Sequence, residues 1–322
     1  ADVLLPAAAW GEKDGTVTNS ERRISRQRRF LTAPAEARPD WWIICEVARR
    51  MGFADEFAYR SPHEIFDEHA RLSAIAARRG APSRLFDIGG LAGLSASQYD
   101  DLEPVQWPLR CGGSAAAPRL FQDGRFAHPD GRARLVPVRQ RPPAHAPDEA
   151  HPFALNTGRV RDHWHTLTRT GRAPRLVEHL PEPFVDLHPY DALASAVRAG
   201  ELARVSTQWG SMVVRARISG EIPRGSIFVP MHWSDAYASE ARVGALVNPA
   251  VDPLSGQPEF KHTPARVEPF PVEWYGVAIS RRAIAARDLT WWSLVRGAGV
   301  LRYELAGRKR PPDWADWVRS LL

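Results

Sequence analysis

Apolar residues recur at helical spacing in the first third of the chain. Between residues 40 and 51 they follow a period of three to four, with Asp40 as candidate N-cap and Gly52 at the C-terminal stop. The order of residues in Ser61-Pro62-His63-Glu64 is that of a capping box, so a second helix is predicted to begin there. A third, short helix is predicted near Ser95. Before these helices, residues 1–6 are predicted to form a strand that ends at a proline.

The middle of the chain loses this periodicity. Residues 111–150 are rich in Pro, Gly and Ala, and Asp-Gly within Arg119–Phe126 predicts a hairpin turn. Three prolines among residues 139–147 are typical of a linker, and we place a domain boundary near residues 145–151.

Short apolar runs then recur in close succession, interrupted by one predicted helix over Tyr190–Val197. This density of short strands predicts a β-barrel with crossover connections. The six predicted strands are Phe153–Asn156, Phe184–His188, Leu202–Thr207, Met212–Ile218, Ile227–Pro230 and Ala265–Phe270. Residues 271–322 are rich in Trp and Arg, show no clear period, and are predicted to contain helices.

Composition narrows the function classes. The chain has 322 residues, of which 44% are hydrophobic and 25% charged, as in a globular protein of about two domains. Cys45 and Cys111 are the only cysteines, which excludes a disulfide scaffold, a cysteine zinc site and a self-contained iron–sulfur cluster. No apolar run reaches the roughly 20 residues of a transmembrane helix. The net charge of +6 permits an anionic partner without requiring nucleic acid.

Lysine is rare, since only three of the 43 basic residues are lysines: Lys13, Lys261 and Lys309. Where arginine is so strongly preferred, a retained lysine can mark a site that needs a compact ammonium group. Lys13 lies in a glycine-flanked loop and Lys261 in a turn-rich loop, whereas a surface lysine paired with its neighbours remains the alternative. Asp40 likewise has two interpretations, a helix cap or a carboxylate that recognises a base edge.

The strongest candidate for chemistry is Leu155–Thr170, which leaves a strand, turns at a glycine, and concentrates hydroxyl, imidazole and guanidinium groups. Free backbone N–H groups beside glycine, hydroxyl donors and arginines are what a polyphosphate requires. A polar surface loop with a basic face is the alternative. His163 and His165 could ligate a metal, although no third ligand is near, and hydrogen-bonding roles are favoured. Trp233, downstream, is interpreted first as a core residue.

The loop Trp10–Arg23, the stretch Thr157–Thr166, the pair His232-Trp233 and the loop Asp252–His262 together resemble the bis-molybdopterin guanine dinucleotide oxidoreductases. Within that family the pattern is most similar to the catalytic subunit of bacterial assimilatory nitrate reductases. The resemblance implies that residues 1–110 are the last portion of the α/β molybdopterin oxidoreductase domain and residues 111–150 a connector. It implies a double-psi β-barrel, the molybdopterin dinucleotide-binding domain, over 151–268 and a C-terminal extension over 269–322.

The resemblance also implies a set of cofactor-contacting residues, with Gly244 standing where the family often has asparagine. The implied contacts are Lys13, Asp40, Thr157, Gly158, Arg159, Val160, Arg161, Asp162, His163, Trp164, His165, Thr166, Trp233, Gly244 and Lys261. The cofactor would be molybdopterin guanine dinucleotide in its bis form (bis-MGD) with molybdenum. The family's 4Fe-4S cluster and molybdenum-ligating cysteine belong to an N-terminal portion, and neither Cys45 nor Cys111 lies in such a motif. The chain is therefore expected to carry no catalytic or metal-ligating residue of its own.

The implied reaction is the two-electron reduction of nitrate to nitrite, in the cytoplasm, with an unidentified electron-donor protein as partner. A formate dehydrogenase of the same family is the first alternative. A non-enzymatic module that binds nucleic acid through its arginines is the second, although the arginines are spread along the chain. Neither nucleic acid nor a membrane is an expected partner.

Overall fold

The structure, a computed structural model, describes residues 2–75, 79, 84–113, 119–286 and 289–321. It separates into two units, Ala1–Val138 and Arg139–Leu322. None of the helices in these described ranges combines the length and hydropathy that crossing a membrane requires.

The first unit contains the three predicted helices and a small antiparallel sheet. In the described part of this unit, the helices are α1 (Asp40–Arg50), α2 (Pro62–Ser73) and α3 (Ala96–Asp100), and the strands are β1 (Gly15–Thr18), β2 (Arg23–Gln27) and β3 (Val105–Gln106). The strand order is β1-β2-β3. A core of Ile24, Phe66, Ala70, Ile88, Leu91 and Tyr99 joins strand, helix and loop residues.

Two of the three helix starts follow the sequence rules. Ser61 caps α2 by accepting the backbone N–H of Glu64, and Ser95 forms a full capping box with Gln98 at α3. The predicted N-cap of α1 was wrong, because Asp40 is the first residue of the helix. Pro39 holds the cap position and makes no side-chain hydrogen bond there. The Asp40 carboxylate instead pairs with Lys13, an interaction that helix periodicity does not encode.

Two strand predictions in the first unit were also wrong. Residues 2–6 form no strand, and residue 1 of that prediction lies outside the described residues. Arg119–Phe126 forms turns and bends without strands. The Asp123 carboxylate accepts the backbone N–H of Arg125 at 3.0 Å, and Phe121 accepts the N–H of Gly124 at 3.0 Å. These local bonds close a tight turn and replace the ladder of a hairpin.

The second unit is built on a closed six-stranded barrel. All six predicted strands are present, and their bounds differ from the predicted ones by no more than two residues. They are β4 (Phe153–Gly158), β5 (Phe184–Leu187), β6 (Leu202–Ser206), β7 (Ser211–Ile218), β8 (Ser226–Pro230) and β9 (Thr263–Pro269). The order around the barrel is β4-β8-β5-β7-β6-β9.

The pairs β4–β8 and β5–β7 are parallel, whereas the other neighbours are antiparallel. Parallel neighbours require crossovers, which the short helices α4 (Pro174–Val177) and α5 (Pro189–Ala194) help to make. The α5 helix ends earlier than the predicted Tyr190–Val197. The fold class is thus an α/β segment followed by a double-psi β-barrel.

The prediction of helices over residues 271–322 was largely wrong. The described residues of this segment form three antiparallel strands, β10 (Trp274–Ser280), β11 (Trp291–Arg296) and β12 (Leu301–Gly307), in the order β10-β12-β11, and one helix, α6 (Trp314–Leu321). The middle of the segment has no visible period because β11 is buried on both faces, so its residues need not alternate between apolar and polar.

Candidate functional site

In the first unit, two of the predicted cofactor residues meet although 27 positions separate them. The Lys13 ammonium donates to the Asp40 carboxylate and forms an ion pair with it. Gln27 orders the loop beneath by donating to the carbonyl oxygens of Trp10 and Lys13 at 2.7 and 3.2 Å. The hydrogen bond from Lys13 lowers the pKa of Asp40, against the opposing effect of partial burial. The Asp40 side chain remains 57% exposed, so it can bind a further donor.

The ion pair gives a direct prediction. Lys13→Met should raise the pKa of Asp40 toward that of an unpaired aspartate, because the depressed pKa depends mainly on the Lys13 hydrogen bond. A carboxyl group whose pKa is lowered in the folded state stabilises the fold at pH values above its ordinary pKa. This stabilisation is lost as the pH falls through the pKa of the folded state. The variant should lose that stability, about 1 kcal/mol or less for an exposed pair. NMR titration of the Asp40 carboxyl carbon measures the shift.

Arg29→Met is the matched control, since Arg29 lies 3.9 Å from Asp14 and makes no ion pair with Asp40. An unchanged titration of Asp40 in Lys13→Met would show that the pair does not form.

In the second unit, one backbone contact and several side-chain contacts hold the stretch that follows β4. The N–H of Val160 donates to Nε2 of His232 at 3.3 Å. Nε2 of His163 lies 3.2 Å from the carbonyl oxygen of Leu180. Asp162 accepts from Arg161 at 2.9 and 3.0 Å and lies 2.9 Å from Nδ1 of His179. These contacts tie the loop to His232, just beyond β8, and to His179 and Leu180, in the segment between α4 and β5.

The rest of this stretch faces solvent. The guanidinium of Arg159 stacks over the ring of Trp164 at 4.3 Å, and the ring of His165 lies edge-on to the same indole at 4.9 Å. Arg159, Trp164, His165 and Thr166 are exposed. His165 and Thr166 adopt left-handed backbone angles, with φ of 42° and 55°, as does Leu167. Consecutive left-handed residues other than glycine are costly and are typical of functional loops.

Lys261 reaches the same end of β4 from a loop more than one hundred residues away. Its ammonium donates to the carbonyl oxygen of Thr157. A Cβ on Gly158 would lie 3.3 Å from the ring of Phe228 and 3.4 Å from Nζ of Lys261, so this position suits glycine. The hydroxyl of Thr157 is buried and has no hydrogen-bond partner among the residues that the structure describes. The strand end thus combines a cation, a glycine and an unsatisfied hydroxyl.

Trp233 and Gly244 have different surroundings. Trp233 is buried in a cluster with Leu167 and Tyr237, and its ring lies edge-on to that of His163 at 5.2 Å. Its burial favours the core role that the sequence left open. Gly244 is exposed in the turn Val243–Ala245, and a Cβ there would meet nothing within 4 Å. The family's asparagine would therefore fit this turn.

Burial sets the charge state of the clamping histidines. It lowers the pKa of His232 to about 4, with smaller contributions from His163 and from the charge of Arg159. Burial also lowers the pKa of His163. Hydrogen bonds from Arg161 and His179 lower the pKa of Asp162 to about 2. At neutral pH both buried imidazoles are neutral and Asp162 is a carboxylate.

Within the described ranges, His, Cys, Asp and Glu side chains nowhere gather in threes in a way that could hold a metal ion. His163 is buried and His165 is exposed, so the two do not present a common pair of ligands.

Sequence reasoning did not identify His179, and it included His232 only as the neighbour of Trp233. The contact of His232 depends on the pairing of β4 with β8, and no spacing along the chain signals that pairing. The described residues do join Lys13 to Asp40, Lys261 to Thr157, and Arg159 to Trp164.

Two family models match the chain. Residues 1–50 match the Molybdopterin oxidoreductase model, and residues 153–264 match the Molydopterin dinucleotide binding domain. The second match spans the barrel from the start of β4 into β9. It includes the stretch Gly158–Thr166 that follows β4, as well as Trp233, Gly244 and Lys261.

Similar curated proteins include nitrate reductases and formate dehydrogenases. The nitrate reductase of Klebsiella oxytoca is 45% identical over 320 residues, covering 99% of this chain and 36% of that protein. The F420-dependent formate dehydrogenase subunit alpha of Methanocaldococcus jannaschii is 35% identical, covering 83% and 37%. The assimilatory nitrate reductase catalytic subunit of Bacillus subtilis is 33% identical, covering 84% and 36%. The chain spans about a third of the length of these relatives.

Among solved structures, acetylene hydratase from Pelobacter acetylenicus superposes with a TM-score of 0.60 over 83% of this chain and 38% of that one. At 18% sequence identity this likeness shows the fold alone. Both family models, and the match of a nitrate reductase over 99% of this chain, agree with the resemblance that the motifs implied. The chain belongs to the molybdopterin oxidoreductase family and contains that family's dinucleotide-binding domain.

Proposed function

We propose that this chain is the cofactor-holding C-terminal part of a molybdenum nitrate reductase that converts nitrate to nitrite. The observation that carries the proposal is the end of β4, where Lys261, Gly158 and the exposed Arg159–Trp164 pair stand together inside the dinucleotide-binding domain. The cofactor is bis-MGD, and all the residues that the resemblance implied are its proposed contacts.

The side chains fit the chemistry of a pterin guanine dinucleotide. The pyrophosphate needs cations and N–H donors, which Lys261 and Arg159 and the backbone beside Gly158 provide. The exposed indole of Trp164 offers a flat surface for a heterocycle. In the first unit, the exposed carboxylate of Asp40 can accept from the N–H groups of a guanine edge, while Lys13 supplies a compact positive charge.

The reaction consumes two electrons and two protons, and it releases nitrite and water from nitrate. The molybdenum of the bound cofactor supplies the redox chemistry, whereas this chain binds and orients the dinucleotide. A 4Fe-4S cluster, a separate electron-donor protein and a cytoplasmic location belong to the same proposal, and the chain by itself is proposed to be inactive.

Formate oxidation is the second candidate, because formate dehydrogenase subunits also match over most of this chain. The greater identity and coverage of the Klebsiella oxytoca nitrate reductase favours nitrate.

The deciding experiment uses the complete enzyme that carries this chain, purified after growth with molybdate. Reduced viologen should be reoxidised on addition of nitrate with stoichiometric nitrite, and formate should not reduce an oxidised dye. Enzyme from tungstate-grown cells is the control. Formate-dependent dye reduction without nitrate turnover would replace the proposal by the second candidate. Tight, salt-sensitive binding of duplex DNA with no bound pterin would point to a nucleic-acid-binding module.

A further inference from the structure

Parallel pairing of β4 and β8 places two segments from distant parts of the chain side by side. Gly158 stands opposite Pro230 in the ladder. Val160 and His232 each lie two residues beyond these partners, on the same end of the barrel. The N–H of Val160 consequently meets Nε2 of His232, at 3.3 Å.

His232 is held unusually firmly for a residue in a connecting segment. Its backbone has φ of 115°, in the left-handed half of conformational space, and the residue is only 6% exposed. Such a conformation persists in a non-glycine residue only where surrounding structure enforces it. The His163 ring lies 6.2 Å from the His232 ring and 5.2 Å from the ring of the buried Trp233.

Hydrogen-bond chemistry fixes the tautomers of both buried histidines. A backbone N–H can only donate, so Nε2 of His232 must carry a lone pair and its proton must sit on Nδ1. A carbonyl oxygen can only accept, so Nε2 of His163 carries the proton in its contact with Leu180. Nδ1 of His163 is then a buried acceptor for which the described part of the chain offers no partner. The two imidazoles clamp one loop with opposite tautomers.

We propose that His232 is a positioning residue that holds the loop Gly158–Thr166 in its binding conformation through the N–H of Val160. This inference rests on the proposed function only for what the loop binds. Arg159 immediately precedes the clamped amide, so the position of the Arg159–Trp164 pair depends on it. The left-handed residues His165 and Thr166 lie in the same loop and would relax if the clamp were released.

The low pKa of His232 supports this role, because the imidazole stays neutral around neutral pH. The lone pair of Nε2 therefore remains available to accept the N–H of Val160.

The test is amide hydrogen exchange, measured by mass spectrometry on the full chain at neutral pH. His232→Leu removes the acceptor and should speed exchange at Val160 at least tenfold. His232→Gln offers a side-chain oxygen at a similar reach and should restore most of the protection. His188→Leu is the matched control, because His188 also accepts a backbone N–H, that of Tyr190 at 3.2 Å, at the start of α5. It should leave the loop unchanged.

Unchanged exchange at Val160 in His232→Leu would overturn the proposal. Should that variant fail to fold, long-range ¹H–¹⁵N spectra of the wild-type histidines decide: protonated Nδ1 with unprotonated Nε2 in His232 supports the clamp, and the reverse tautomer overturns it.

Molybdopterin content separates this inference from the proposed function. In the complete enzyme, His232→Leu should release pterin at least tenfold faster than wild type and His232→Gln. If the wild-type enzyme holds no pterin, the proposed function fails. The exchange rate at Val160 still shows whether His232 holds the loop. If exchange changes and pterin release does not, the loop is held as described but the clamp does not position it for the cofactor, which overturns the inference.

Discussion

Replacing Lys261 with methionine is expected to reduce molybdopterin retention by one to two orders of magnitude. The ammonium lies against the carbonyl oxygen of Thr157 and within reach of the space beside Gly158. A charge-assisted hydrogen bond to a phosphate contributes roughly 1.5–3 kcal/mol, which corresponds to a ten- to hundredfold change in affinity. Methionine keeps the length of the side chain and removes its charge and its donors.

Molybdenum and pterin bound per mole of the complete enzyme provide the measurement. Lys309→Met is the matched control, because Lys309 is another of the three lysines and lies outside the dinucleotide-binding match. Lys261→Arg should recover only part of the loss, since a planar guanidinium cannot replace a compact ammonium at a tight approach. Full cofactor content in Lys261→Met, at wild-type thermal stability, would remove Lys261 from the proposed site.

The barrel could be predicted from the sequence because its strands carry the expected pattern of inward apolar residues. In β4, for example, Phe153, Leu155 and Thr157 point inward and the residues between them are less buried. The C-terminal sheet could not be predicted in this way. Its strand β11 is buried over five consecutive residues, which leaves no contrast between the two faces.

Part of the candidate site could likewise be predicted from the sequence, and part could not. Lys13 and Lys261 stood out because lysine is rare in this chain, and both lie in contacts with predicted partners. The contact between Val160 and His232 could not be inferred, since it depends on the parallel register of β4 and β8. Asp40 shows the limit of a local rule: the residue type suits a cap, but in the folded unit Asp40 is the first residue of α1 and its carboxylate pairs with Lys13.

The largest stability effect is expected at Trp291, the bulkiest of the fully buried side chains in the described ranges. Its indole packs with Leu202, Val213 and Phe270, and its Nε1 donates to the carbonyl oxygen of Val213 at 3.1 Å. The guanidinium of Arg215 lies over the ring at 4.9 Å. Trp291 belongs to β11 of the C-terminal sheet, whereas Leu202 and Val213 belong to the barrel. One side chain therefore joins the extension to the domain that holds the proposed cofactor loop.

Trp291→Ala should lower the free energy of unfolding by about 3–5 kcal/mol, the usual cost of removing a buried aromatic side chain. Trp291→Phe should cost less, about 1–3 kcal/mol, because most of the apolar volume remains while Val213 loses its donor. Urea unfolding followed by circular dichroism measures both, with the half-exposed Trp314→Ala as control. A single transition displaced as a whole would show that the extension and the barrel unfold together. A loss below about 1 kcal/mol in Trp291→Ala would contradict the expected destabilisation, because the void left by an indole between the C-terminal sheet and the barrel cannot be closed cheaply in a close-packed interior.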